Sequence, residues 1–310
     1  MGVRDANCLM GYGQPPWIFK GSALYQLHLV KAETARAFIP KELKLVEAFG
    51  YTLGGFFLAK YEDSPVGVFD ELVVIAGLVW NPPTSCAWAA RVLVNSEEAC
   101  GHGRKNVGLP SQVARFSKRI TAVSKQPKGK FSSFQDMIGI GTTLQHPREC
   151  VDVQVTEVMG AAAADICNIK LATEVPALKH HKWMGPAITM SLPSFSGHTG
   201  YNPQLLKYSC QIKCRVRPVE PAKVLGPFPA PKNGREQLWR RNGPETTDSN
   251  EEVFDKGRHL AISVMLSKPI LALEFNCLNM RVEAPVVVPY RFFFNRSFAS
   301  TNAQQMLVWT

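Results

Sequence analysis

The 310 residues hold no CxxC pair, no complete nucleotide loop, no zinc-finger or RNP pattern and no run of eighteen uninterrupted apolar residues. Each absence excludes something. Without paired or tightly spaced cysteines, the eight that are present fit neither a small disulfide scaffold nor a cysteine-based zinc site, and reduced thiols in an intracellular protein are expected. Without a long apolar run, no transmembrane helix is expected. Charge is sparse, at 19% of residues, and 35 Lys+Arg against 25 Asp+Glu leave a formal net charge of +10. Those cations are scattered rather than gathered beside a recognition motif, so no nucleic-acid partner is expected. The first twenty residues lack an apolar core and carry Asp5, which suits neither a signal nor a transit peptide. A cytoplasmic or otherwise intracellular location is the expectation. Repeats of 20–50 residues are also missing.

Strand signals are abundant. Residues 51–61, 69–80 and 86–95 are rich in aromatic and β-branched side chains and read as three consecutive strands. In 205–217 the residues Leu206, Tyr208, Cys210, Ile212, Cys214 and Val216 alternate with a largely cationic set, a pattern only period two produces. Strand-like patterns also read over 259–267 and 269–276. Helices are few: one begins at Lys31 and stops at Pro40, and another is announced by Ser96 before two glutamates. Residues 226–257 combine Pro, Gly and mixed charge and read as a surface loop insertion. These features predict a single mostly β domain of the α+β class over residues 1–310, decorated by that insertion.

The stretch 101–112, GHGRKNVGLPSQ, holds the chemistry worth pursuing. Asn106 stands where a third dinucleotide-loop glycine belongs, so a phosphate cradle is excluded and no cofactor is implied. Read together with SPVGVFDEL at 64–72, it resembles the acetoacetate decarboxylase-like family. That family joins SPxGxYxE to a GRExxGxPK segment about forty residues later. Ser64, Pro65, Gly67, Glu71, Asn95, Gly103, Arg104, Gly108, Pro110 and Ala114 take matching places. The resemblance implies a β-cone with an internal pocket, in which a lysine after the proline forms a Schiff base with a ketone. Here Ser111 and Gln112 follow Pro110, and neither forms an imine. The resemblance thus implies an inherited pocket without its nucleophile.

Glu71 is the other matched position. On a strand it shares a face with Val73 and Ile75, which aims the carboxyl at an apolar interior. It then serves either as a functional acid or as half of a structural salt bridge with Arg104 or Arg91. Pocket candidates are therefore Glu71, Arg104, Ser111, Gln112 and Arg91. Other groups carry less. Cys210 and Cys214 on a strand lie about 13 Å apart, too far to share a metal, and read as core. The His180–His181 pair has no metal motif around it. The resemblance implies one of three functions: a non-catalytic protein binding an apolar isoprenoid, another small carbonyl or acid ligand, or a partner; a lysine-independent isomerase or lyase using Glu71; or a filled, purely structural cone. Either of the first two is compatible with an oligomer.

Overall fold

A computed structural model of the chain describes residues 12–123, 148–160, 162–174, 184–227 and 249–289. The first eleven residues, the His180–His181 pair, 228–248 of the expected insertion and the aromatic run from Tyr290 lie outside them. In chain order the described elements begin with β1 (Trp17–Lys31), α1 (Ala32–Arg36), β2 (Tyr51–Asp63), β3 (Phe69–Asn81) and β4 (Thr84–Val94). Helix α2 (Glu97–His102), a π-helical turn (Gly103–Val107) and β5 (Ser111–Val123) come next. Then come β6 (Arg148–Met159), β7 (Ala162–Glu174), β8 (Ala187–Gly197), β9 (Leu205–Val219), β10 (Lys223–Leu225), α3 (Ser249–Met265), β11 (Lys268–Val282) and β12 (Val286–Val287).

The sheet closes on itself. Strands run in the order β4-β3-β2-β1-β11-β9, and β8 pairs with both β9 and β4, giving a seven-stranded barrel. The β4–β8 closure is a parallel seam with two registered pairs, Ala87 with Ser194 and Trp88 with Phe195. From β4 the start of β5 branches away and leads an outer sheet, β5-β6-β7-β10, across the barrel wall. The mostly β class with few helices is what the motifs and periodicities predict.

Two cores follow from strand alternation. Along β1, Leu24 and Val30 face outward into a core shared with Leu72, Val74, Val153, Ile169 and the α3 residues Val264 and Met265. Trp17, Phe19, Phe57, Tyr61, Phe69 and Phe275 face the barrel interior. Fully burying a side chain of this size contributes roughly 1.5–3 kcal/mol, which keeps both faces of the wall committed.

Two sequence expectations are corrected by α3. Residues 249–257, expected as loop, and 259–265, expected as strand, are one helix. Its buried residues Ala261, Ile262, Val264 and Met265 recur at helical spacing. Ser263 between Ile262 and Val264 imitates a strand over three residues, too short a window to separate the two periods.

A buried polar clasp fastens α3 to β1. The Gln26 amide donates to the Ala222 carbonyl (3.1 Å), and the Ala222 N–H donates to Gln26 Oε1 (2.7 Å). His28 Nδ1 lies 3.2 Å from the Val264 carbonyl, which only accepts, so Nδ1 carries the proton. His28 Nε2 then accepts from the Gln26 amide at 2.9 Å. Burial lowers the His28 pKa. The folded state therefore favours neutral His28, while the unfolded chain takes up a proton near pH 6.5. Stability from this group is present above that pH and is lost as pH falls through the lower folded value. Melting curves between pH 7.5 and 5 should show this acid-side loss reduced in His28→Asn relative to the unchanged chain.

Candidate functional site

The glycine-rich stretch closes part of the barrel. The Ser96 hydroxyl accepts from the Ala99 N–H (3.2 Å) and caps α2, which runs directly into the π-helical turn. Gly108 ends the turn at φ 71°, in the left-handed region. Its carbonyl accepts from the Gly197 N–H (2.9 Å), and the Val107 carbonyl accepts from the Ser196 hydroxyl (2.6 Å), so the turn is tied to β8. Gly103 is required for another reason: a Cβ there would sit 2.5 Å from Ser111 Oγ. The second motif segment is also a turn. The Ser64 hydroxyl bridges to Val66 and Gly67, and Asn95 holds the start of β3 by accepting from the Asp70 N–H at 2.7 Å.

Between these segments lies a cavity of about 640 Å³ inside the barrel. Its wall is largely apolar, from Phe57, Val73, Ile75, Val92 and Leu192 among others. Glu71 is the one charged type among the lining residues; they include no lysine and no arginine. The Tyr61 hydroxyl donates to Glu71 Oε2 at 2.7 Å. Desolvation raises the Glu71 pKa to about 7, against a smaller lowering by that hydrogen bond. Glu71 keeps some accessible surface because it faces the cavity. At neutral pH it is thus shared between acid and carboxylate, able to give or take a proton.

Other polar groups gather near it. Tyr12 stacks on His102 at 3.6 Å between ring centroids, and Trp17 meets the same imidazole edge-on at 4.3 Å. Burial lowers the His102 pKa to about 4, and its Nε2 has no hydrogen-bond partner among the described residues. It is a neutral aromatic wall at physiological pH. Burial pushes the Cys210 thiol up to about 12, with the Glu71 charge adding to it, so this thiol is inert as a nucleophile. Tyr208, also raised by burial, completes the cluster.

The structure brings two of the five expected residues to the cavity, Glu71 and Ser111. Arg104 instead donates from Nε to the Ser111 carbonyl (2.7 Å) and from Nη2 to Gln112 Oε1 (2.6 Å), with its guanidinium 4.7 Å from the Tyr201 ring centroid. It clamps the turn to β5, and Gln112 serves as its anchor. Arg91 forms a buried ion pair with Glu157 on β6. Neither arginine is an ion-pair partner of Glu71; its hydrogen-bond partner is the Tyr61 hydroxyl, which corrects the salt-bridge expectation. Cys210, expected as core, lines the cavity. Tyr12, Tyr61, His102 and Tyr208 were not anticipated. Tyr61 was within reach of the same alternation, since it lies in register with Phe69, two residues from Glu71 on the same face.

No family model matches the chain. It is 63% identical over 288 residues to Protein NEOXANTHIN-DEFICIENT 1 of Arabidopsis thaliana, covering 93% of this chain and 99% of that protein. The protein of the same name from Solanum lycopersicum is 63% identical over 294 residues, covering 93% and 97%. Among solved structures, an acetoacetate decarboxylase from Legionella pneumophila is similar at 13% identity and a TM-score of 0.46, over 90% of this chain and 89% of that one. With most of both chains aligned to its plant relatives at that identity, this chain belongs to the NEOXANTHIN-DEFICIENT 1 family.

Proposed function

We propose that the chain acts in neoxanthin formation in a plant by holding an apolar isoprenoid in the barrel cavity, as a non-catalytic or accessory protein. The observation that carries this reading is a chamber of about 640 Å³ with apolar walls, one carboxyl and no amine among its lining residues. Its volume falls within the roughly 300–1,000 Å³ of small-molecule sites. Polar groups gathered around Glu71 in a largely apolar space suit an oxygenated end of a molecule that is apolar along its length. A xanthophyll, apolar along its polyene and oxygenated on its end rings, has such an end, and the names of the relatives carry neoxanthin, which we place on the branch toward abscisic acid. A cone filled by side chains is disfavoured by the same volume. Chloroplast association would follow from that pathway.

A second reading is favoured by one observation, the Glu71 pKa near 7. Converting an epoxide to an allenic alcohol removes one proton from carbon, breaks a carbon–oxygen bond and returns one proton to the oxygen. A carboxyl poised between its two forms is suited to that isomerisation without Schiff base or cofactor.

Pigment binding and turnover separate the two. The purified chain incubated with violaxanthin in micelles is expected to co-elute with unchanged pigment under the first reading. Appearance of neoxanthin would establish the second, and absence of any bound carotenoid would remove both. Borohydride treatment with acetoacetate should leave every lysine unmodified by mass spectrometry, since no lysine lines the cavity among the described residues.

A further inference from the structure

One end of the barrel carries an apolar lip that the fold itself does not require. The loop from α1 enters β2 through a two-residue turn: the Ala48 and Tyr51 N–H groups each donate to the other's carbonyl, at 2.9 and 3.0 Å. The central residues Phe49 and Gly50 have φ of 52° and 78°. Such turns want Asn-Gly or Gly-Gly, because both positions are left-handed. A bulky aromatic there is strained, and Phe49 gains nothing in packing, being 101% exposed.

The apolar surface continues inward from this tip. Tyr51 (42% exposed) and the cavity residue Leu53 (40%) lie two apart on the same face of β2. Trp80 (43%) continues the face of the cavity residue Leu78 on β3, and Leu271 (40%) lies in register with the cavity residue Leu27. Lip and chamber are therefore one apolar surface across β3, β2, β1 and β11.

Lysines flank it. Lys31 is in register with Tyr51, Lys268 pairs with Leu29 beside Leu53, and the Lys44 carbonyl accepts from the Trp80 N–H. None of the three has an ion-pair partner among the described residues. Lys41 is close in sequence, as are the acidic residues Glu33, Glu42 and Glu47, of which Glu47 is neutralised by Arg36. Among the described residues named here, four lysines face two acids, Glu33 and Glu42, that have no ion-pair partner among them.

We propose that this end of the barrel docks on an anionic lipid bilayer, with Phe49 inserted among the acyl chains and Tyr51 and Trp80 at headgroup depth, so that the cavity opens onto the membrane. Aromatic side chains with a polar edge belong at that depth, and the lysines beside them suit an anionic headgroup layer. An apolar ligand would then pass between bilayer and cavity without crossing water. Only that passage rests on the function proposed above; the docking rests on the lip alone.

The test is co-sedimentation of the full chain with vesicles of phosphatidylcholine and phosphatidylglycerol, against vesicles of phosphatidylcholine alone. Binding is expected to the anionic vesicles and to weaken with salt. Phe49→Asn should weaken it by at least about tenfold, the loss of one inserted phenyl group. Each of Lys31→Gln, Lys44→Gln and Lys268→Gln should weaken it by about fivefold. Because Asn suits the turn better than Phe, Phe49→Asn should melt no lower than the unchanged chain, so lost binding cannot be ascribed to misfolding. No pelleting with anionic vesicles, or pelleting indifferent to Phe49→Asn, overturns the proposal. So does a dimer that Phe49→Asn converts to monomer without any vesicle binding, which would mean a second copy covers the lip. Vesicle binding without carotenoid uptake leaves docking in place and removes the ligand reading instead.

Discussion

Glutamine in place of Glu71 is expected to make the protein more stable at pH 8 and to leave it unchanged near pH 4. The sign follows from the direction of the shift. Folding raises this carboxyl from 4.5 to about 7, so the folded state holds the proton that the unfolded chain releases above 4.5. The neutral carboxyl is at home in the cavity; the carboxylate is not. As pH rises through 7 the folded state comes to carry the full penalty, about 3 kcal/mol for a shift of this size. Glutamine reproduces the shape and still accepts the Tyr61 hydrogen bond, but never ionises. Calorimetry at pH 8 should place the variant roughly 5–10 °C above the unchanged chain. A variant that melts lower at pH 8 would show that a cation faces Glu71 after all. The same substitution separates the two functional readings: carotenoid binding should persist if the cavity only holds its ligand, and turnover should vanish if Glu71 moves a proton.

Arg91→Ala should be among the most damaging single changes on the barrel wall. Arg91 Nε lies 3.2 Å from Glu157 Oε1 and Nη2 also donates to that oxygen, while Glu157 is fully buried and its Oε2 has no partner among the described residues. Removing the arginine strands a carboxylate between the barrel and the outer sheet, a loss of about 3–5 kcal/mol. Removing both charges is a different experiment. Arg91→Met with Glu157→Leu keeps volume without leaving an ion behind and should recover most of the loss in urea unfolding. Equal damage from the single and double variants would mean that the site depends on packing and not on charge.

These two residues show where the sequence is legible. Glu71 reads correctly from local alternation, because Val73 and Ile75 share its face and β3 stays regular up to that point. Arg91 does not. Ala87 and Ala89 line the cavity, so simple alternation sends residue 91 inward as well. The β3–β4 register slips opposite Ala90, between the pairs Ile75–Ala89 and Val74–Arg91. After that irregularity Val92 and Val94 face the cavity, and Arg91 turns to the outer core. A bulge of this kind leaves no mark in composition. Gln112 and Ser111 divide for the simpler reason that neighbours on a strand point oppositely, which the motif alone does not say. The closure of the barrel is legible only through the family resemblance and not from local pattern, since β4 and β8 meet across about a hundred residues of intervening chain.

That closure has a mechanical consequence. The β8–β9 ladder runs the full length of β8, whereas the β4–β8 seam rests on two registered pairs and on the ties from Val107 and Gly108 to Ser196 and Gly197. The barrel's girth is therefore not equally stiff all round. It yields first along this line, where few ladder bonds must break and the rest of the wall keeps its own. The glycine-rich turn lies as a hasp over that line, fastening β8 where its ladder to β4 is shortest. Deuterium uptake along β8 should accordingly outpace uptake along β1 and β2, which are paired along their length on both sides.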